Sequence, residues 1–245
     1  MGFNMKKGMA AGTLVAMIIT LAAFMLIASV IIKFMINVDE QQAELICHDS
    51  IALRAATQIS AGDTKILPLV CKTLDKKLEG GTEEIKEQIA VKMARCWWMF
   101  NEGRYDEILD TDKVRKIFGL AKTGNDCLIC YNLIIPNGEL KGQTITTSDL
   151  FAYIRDTNYP KLNKVTYLDY IQYAGGGPGR VILGEDINDG QAYGVVIFVK
   201  NKEKKDWTGL LQLRPELTDR STSAVVVDKL NTVSKYGCLS DIMGK

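Results

Sequence analysis

A single histidine, His48, stands among 245 residues. That scarcity weighs against the commonest general-base chemistries, because any Ser-His or Cys-His arrangement would have to use this one ring. His48 lies next to Cys47, and adjacent helix residues do not face each other. A solvated or packed structural histidine is the plainer reading. Net charge of one sign is lacking too, since 30 Lys plus Arg stand against 29 Asp plus Glu. The electrostatic footprint of a nucleic-acid binder is therefore absent, and nucleic acid is not expected as a partner. Neither an internal repeat nor a low-complexity tract is present.

Charge is missing altogether between Gly8 and Ile32. As a helix this run would be about 36 Å long, enough to cross a hydrocarbon core of ~30 Å. A secretory signal would have a shorter apolar region with a small-residue cleavage site at its far end, whereas this one continues into "IIKFMINVDE". Lys6 and Lys7 flank one side, while Lys33 is followed by Asp39, Glu40 and Glu44. The positive-inside bias then puts the N-terminus in the cytoplasm and everything from about residue 38 outside. The expected organisation is a cytoplasmic leader at 1–7, a transmembrane helix at 8–33, a stalk helix at 34–61 and an extracytoplasmic domain at 62–245. Gly8, Gly12 and Ala16 share one helical face at the small-xxx-small spacing, a candidate seam for self-association within the bilayer.

Six cysteines are present, Cys47, Cys71, Cys96, Cys127, Cys130 and Cys238, all on the side expected to face an oxidising compartment. An even count there points to disulfides, with connectivity left open among many pairings. Cys127 and Cys130 form a C-x-x-C, but "CLICYNLII" is rich in strand formers, and strand side chains three apart point to opposite faces. Separate structural partners are expected, ahead of a redox pair activated by a helix N-terminus. Zinc would need two further ligands, and no second C-x-x-C or clustered histidine supplies them.

Two other stretches invite sharper readings. "GGGPGR", Gly175 to Arg180, lacks the spaced G-K-[ST] ending of a phosphate loop and precedes a strand-like run, so it reads as a turn. In "EDINDG", Asp186, Asn188 and Asp189 miss the alternate positions of an EF-hand, and a hairpin loop is expected. The sequence thus calls for no cofactor and no metal, and it names no catalytic residue.

Along the chain, "DEQQAELICHDSIALRAATQIS" continues the helix with a partly apolar face at Leu45, Ile46, Ile51, Leu53, Ala56 and Ile59. "KILPLVCKTL", with Pro68 inside, reads as an edge strand or an irregular stretch. A second helix begins near Thr82 as its cap and carries Ile85, Ile89, Met93, Cys96, Trp97 and Phe100 at helical spacing until "NEG" ends it. In "CWWMF", core packing accounts for Trp97, and Trp98 is a candidate contact surface. A mixed helical stretch follows around "DTDKVRKIFGLA". "CLICYNLIIPNGELKGQTIT" predicts a hairpin about Pro136, Asn137 and Gly138, and "TTSDLFAYIRD" a short helix capped by Thr147 or Ser148. "RVILG", "QAYGVVIFVK" and "WTGLLQLR" read as strands, the last two separated by the solvated loop "NKEKKD". Blocks of helices and then strands predict an α+β domain with a mainly antiparallel sheet and a packed helix.

"MKKGMAAGTLVAMIITLAAF" resembles the class III signal of archaeal type IV pilins and archaellins: a short basic leader, Lys7-Gly8 as the cleavage dipeptide, Met9-Ala10 after it, then the apolar helix. The resemblance implies cleavage between Gly8 and Met9 and assembly through the freed helix, although the early glutamate common in bacterial pilins is absent. "PLVCKT", "ARCWWMFNEG" and "CLICYNL" are similar to uncharacterised single-pass membrane proteins of small archaea, a likeness that implies placement and no activity. The combined expectation is a non-enzymatic, disulfide-stabilised envelope protein anchored in the bilayer by one helix, with a protein partner or self-association. The alternatives are a pilin-like filament subunit and an extracytoplasmic thiol-disulfide oxidoreductase using Cys127 and Cys130.

Overall fold

The computed structural model describes residues 15–26, 40–60, 69–105, 108, 127–173, 179–199, 223–236, 238 and 241–242. The chain divides into two compact units, Met1–Gln42 and Ala43–Lys245.

In the first unit, residues 15–26 form helix α1, whose side chains are exposed throughout. At 1.5 Å rise per residue the twelve described residues of α1 cover about 18 Å. Among the described residues no helix is long and apolar enough to cross a membrane. The expectation of an N-terminal transmembrane helix is corrected on this finding. Gly8, Met9 and Gly12 lie outside the described residues; Ala16 sits on α1, where its carbonyl accepts a bond from the Thr20 hydroxyl at 2.6 Å.

The second unit is α+β. Its helices are α2 (Glu40–Ser60, of which residues from 43 onward belong here), α3 (Thr82–Met99), α4 (Thr147–Asp156), α5 (Tyr167–Tyr173) and α6 (Leu230–Val233). Its strands are β1 (Cys71–Lys72), β2 (Leu74–Lys77), β3 (Cys127–Ile134), β4 (Gly179–Leu183), β5 (Ala192–Phe198), β6 (Ser223–Lys229) and β7 (Asp241–Ile242). β1 and β7 form a small antiparallel pair, and the other five strands form one sheet in the order β2-β3-β5-β6-β4.

That sheet is mixed, which corrects the mainly antiparallel expectation. β2 runs parallel to β3 and β4 parallel to β6, whereas β3–β5 and β5–β6 are antiparallel. Parallel neighbours need a long crossover, and α3 lies in the one between β2 and β3. The expected hairpin does not form. The chain turns at Gly138, where φ is +90°, but its return makes only the isolated bridge Ile145↔Ile187. The carboxylate of Asp189 draws the intervening backbone aside, accepting from Leu140 N at 2.8 Å. β6 is the strand that sequence patterning missed; six of its seven residues are buried, so it shows no alternation.

α2 is not a stalk. Glu44, Cys47, Ser50, Ile51, Arg54 and Ala55 are its buried face, while Leu45, Ile46 and Leu53 point outward. Polar side chains thus occupy part of the inner stripe. α3 follows its periodicity: Ile85, Ile89, Met93, Cys96, Trp97 and Phe100 are all buried. Its N-cap is Gly81, and Thr82 instead donates its hydroxyl to Gln143 Oε1 at 2.7 Å. α4 is capped one residue earlier than expected, by Thr146, in a reciprocal capping box with Asp149. The segments 110–121 and 207–214, and most of "GGGPGR", lie outside the described residues.

Candidate functional site

The cysteines pair as Cys47–Cys71, Cys96–Cys130 and Cys127–Cys238. β3 explains why the C-x-x-C divides. Its register with β5 shifts between Ile129 and Tyr131, a bulge that leaves Cys130 as the extra residue. In a bulge, two consecutive side chains can serve one face. Cys130 and Tyr131 accordingly both enter the larger core, while Cys127 and Ile129 enter the smaller one on the other face. Cys130 meets Cys96 of α3, and Cys127 meets Cys238 near the C-terminus. The pleat argument anticipated separate partners, and the sulfurs of the motif sit in two different bonds on two faces.

The Tyr131 side chain reaches a buried carboxylate. Its hydroxyl donates to Glu44 Oε1 at 2.5 Å, and Arg95 donates from Nε to Glu44 Oε2 at 2.6 Å and also from Nη2 to that oxygen. Glu44 from α2, Arg95 from α3 and Tyr131 from β3 therefore close a charge-assisted triangle between three elements. The carboxylate has strong donors on both oxygens, so its role is to tie elements together. Buried ion pairs are sustained only by such complete bonding. In the sequence, Glu44 is legible only as a polar residue three before Cys47 and seven before Ile51 on the same helix face.

His48 and Trp98 lie beside this triangle. The two rings stack at 4.2 Å between centroids, 5° from parallel, and the Arg95 guanidinium lies over the indole ring at 4.3 Å from its centroid. Trp98 is half-buried. The His48 Nδ1 faces the Asp49 carboxylate at 3.2 Å. A stacked, packed histidine is what the structure contains.

Trp97 is fully buried, and its indole lies against two glycines. A Cβ at Gly179 would overlap the Ile171 carbonyl and the Trp97 ring, and one at Gly103 would overlap the same ring. Gly103 closes a run in which Asn101, Glu102 and Gly103 have φ of +50°, +56° and +69°. Two non-glycine residues in the left-handed region cost of order 1–3 kcal/mol each. The turn delivers Glu102 to Tyr170, whose hydroxyl donates to its Oε1 at 3.0 Å. Tyr170 also stacks on Tyr159 at 4.5 Å. Burial, followed by the negative charge of Glu102, pushes the Tyr170 phenol far above the ordinary range. Burial raises the Tyr167 phenol to about 12. These phenols stay neutral, Tyr170 as a hydrogen-bond donor and both as packing surfaces.

On the far side of the sheet, Asp228 is fully buried and accepts from the Tyr236 hydroxyl at 2.7 Å and from Lys229 N at 2.8 Å. Asp186, Asn188 and Asp189 hold neighbouring loops: Asp186 accepts from Thr147 N at 2.8 Å, and Asn188 Oδ1 accepts from the Thr144 hydroxyl at 2.7 Å. Among the described residues no group of three or more His, Cys, Asp or Glu is placed to hold a metal ion.

The second unit has a concave feature of about 250 Å³ between β2 and α3. Lys76, Lys77 and Leu78 line it from the strand side, and Glu87, Gln88, Val91 and Lys92 from the helix. It is a surface cleft with an apolar floor and a charged rim. No family model matches the chain, and neither a curated protein nor a solved structure does.

Proposed function

We propose that the chain is a non-enzymatic, disulfide-stabilised protein of the cell envelope whose second unit works outside the cytoplasm as a structural or interaction module. The observation that carries the reading is the complete pairing of the cysteines: six residues, three bonds, no free thiol. Such frameworks persist in oxidising compartments and are rare where thiols are kept reduced. The bonds are distributed as staples, one from α2 to β1, one from α3 to β3 and one from β3 to the C-terminal segment. The oxidoreductase reading has less support, since Cys127 and Cys130 are both buried and engage different partners. A catalytic dithiol needs an accessible, activated sulfur.

The test is the thiol state in the native cell. Cells are quenched in acid, and the protein is alkylated before and after reduction. The expected result is no label before reduction and full labelling of all cysteines after it. Labelling of all six without reductant would overturn the extracytoplasmic placement.

A further inference from the structure

We propose that Asn137 is a site of spontaneous covalent modification, at which the Gly138 backbone nitrogen attacks the Asn137 carboxamide and the turn passes to an isoaspartyl linkage. The site lies in the turn after β3 and does not depend on where the chain works in the cell. The chemistry needs a carboxamide outside any hydrogen bond, a following backbone nitrogen that is free and uncrowded, and a surface turn that can bring the two together. Asn137 and Gly138 are both exposed. Among the described residues neither the Asn137 side chain nor the Gly138 amide makes a hydrogen bond. Gly138 has φ of +90°, and even a Cβ placed on it would meet nothing within 4 Å. Glycine leaves its nitrogen unshielded and gives the backbone the widest choice of angles for the approach.

The facing loop carries a second sequence of the same kind, Asp189-Gly190, and the structure protects it. Its carboxylate accepts from Leu140 N at 2.8 Å and from Gly142 N at 3.4 Å, and the Gly190 amide donates to the Ile135 carbonyl at 3.0 Å. Two other carboxamides are tied as well: Asn132 donates to Asp75 at 2.8 Å, and Asn188 bonds Thr144 and the Asp186 carbonyl. At Asn137 the step runs with water as the sole co-reactant. As Gly138 N bonds to Asn137 Cγ, the Cγ–Nδ2 bond breaks and ammonia leaves with the amide proton. Water then opens the cyclic imide, at the backbone carbonyl carbon to give isoaspartate or at Cγ to give aspartate. Either product adds a negative charge, and isoaspartate also adds a methylene to the main chain. The turn is anchored just beyond this point, by Glu139 accepting from Gly80 N at 2.8 Å and by Leu140 N on Asp189. Asn137 Oδ1 itself lies where a Cβ on Gly190 would overlap it. Lengthening the chain here therefore strains the contacts that join the two loops.

The experiment incubates the oxidised full chain for weeks at mildly alkaline pH and physiological temperature. Isoaspartate is read with a protein-isoaspartate methyltransferase and a labelled methyl donor, and its position by fragment-resolved peptide mass spectrometry. Asn137 is expected to convert about tenfold or more faster than Asn132 and Asn188, with Asp189 unchanged in the folded chain. In the reduced chain in urea, isoaspartate should appear at Asp189 as well, because its protection comes from the fold. Asn137→Gln, whose attack would need a slower six-membered ring, should abolish the methyl acceptance of the folded chain. The converted form, separated by anion exchange, should exchange the Leu140 and Gly142 amide protons faster than the parent. Conversion of Asn137 no faster than that of Asn132 or Asn188 would overturn the proposal. So would Asp189 isomerising in the folded chain as fast as Asn137 converts, or methyl acceptance undiminished in Asn137→Gln. Unchanged exchange at Leu140 and Gly142 would overturn the strain on the loop contacts. None of these outcomes alters the thiol state, so the envelope reading stands or falls separately.

Discussion

The two faces of the mixed sheet are closed by different means. One carries α3 and α5 and the larger core, with Trp97 seated between Gly103 and Gly179, two disulfides, and the Glu44–Arg95–Tyr131 triangle. The other carries the smaller core of Ile129, Val196, Phe198, Val226, Val233 and Tyr236, covered among the described residues by α6 and the turn after it. Its staple is Cys127–Cys238, which joins residues 111 apart, against 24 and 34 for the other two bonds. The thick face has redundant closure through packing, ion pair and sulfur. Among the described residues, the thin face is held by the Cys127–Cys238 bond and a buried Tyr236–Asp228 contact.

Four perturbations separate the faces, in order of expected size. Trp97→Ala empties the centre of the thick face and should cost about 3–5 kcal/mol in urea unfolding; a loss below about 1 kcal/mol would mean that the glycine-lined seat collapses around the gap. Replacing Cys127 and Cys238 with serine should cost about 2–5 kcal/mol and exceed the loss from the same change at Cys47 and Cys71, because the longer loop releases more chain entropy on reduction. The reverse order would place the weaker closure on the thick face.

Tyr236→Phe and Tyr131→Phe each remove a phenol from a buried carboxylate, a change worth about 1–3 kcal/mol when an acceptor loses its donor. Glu44 keeps Arg95 when Tyr131 is changed and Asp228 keeps the Lys229 amide when Tyr236 is changed, so the two losses should be of similar size. Thermal denaturation of the two variants side by side decides it.

The smallest effect near neutrality is the pH dependence of the tyrosine cluster on the thick face. Burial raises the Tyr167 phenol to about 12 and Tyr170 further. A proton held more tightly in the folded state contributes stability that is whole below the unfolded pKa of about 10. That contribution is lost as pH climbs from there toward the folded values. Urea midpoints should therefore be flat in this respect up to about pH 10 and fall above it, with Tyr167→Phe shallowing the fall. An unchanged slope in that variant would remove Tyr167 from the account.

Much of this was legible where one strong local signal decides the outcome. α3 declared itself by a long apolar stripe, and the divergence of Cys127 and Cys130 followed from the pleat. The bulge at Cys130, which brings Tyr131 onto the Glu44 side, depends on pairing with β5 and leaves no local trace. α2 misled because its inner stripe contains the polar Glu44 and Arg54, Glu44 being held by Arg95 and Tyr131 far along the chain, while Leu45 and Leu53 face out. The hairpin at Gly138 was a correct turn with the wrong continuation, since Asp189, about fifty residues on, captures the backbone that would have paired. β6 carries a run of valines without alternation, and such a run has no face to read until its neighbours are known. The uncharged N-terminal run met the length criterion as a string, and the helix described within it is shorter.

The central claim is that the cysteines are structural staples on opposite faces of one sheet. Peptide mapping of the native, unreduced protein by mass spectrometry tests it most directly. The predicted result is three linked pairs, Cys47–Cys71, Cys96–Cys130 and Cys127–Cys238, with nothing released by mild reductant. A Cys127–Cys130 bond that opens first under mild reduction would contradict the account and return the C-x-x-C to redox chemistry.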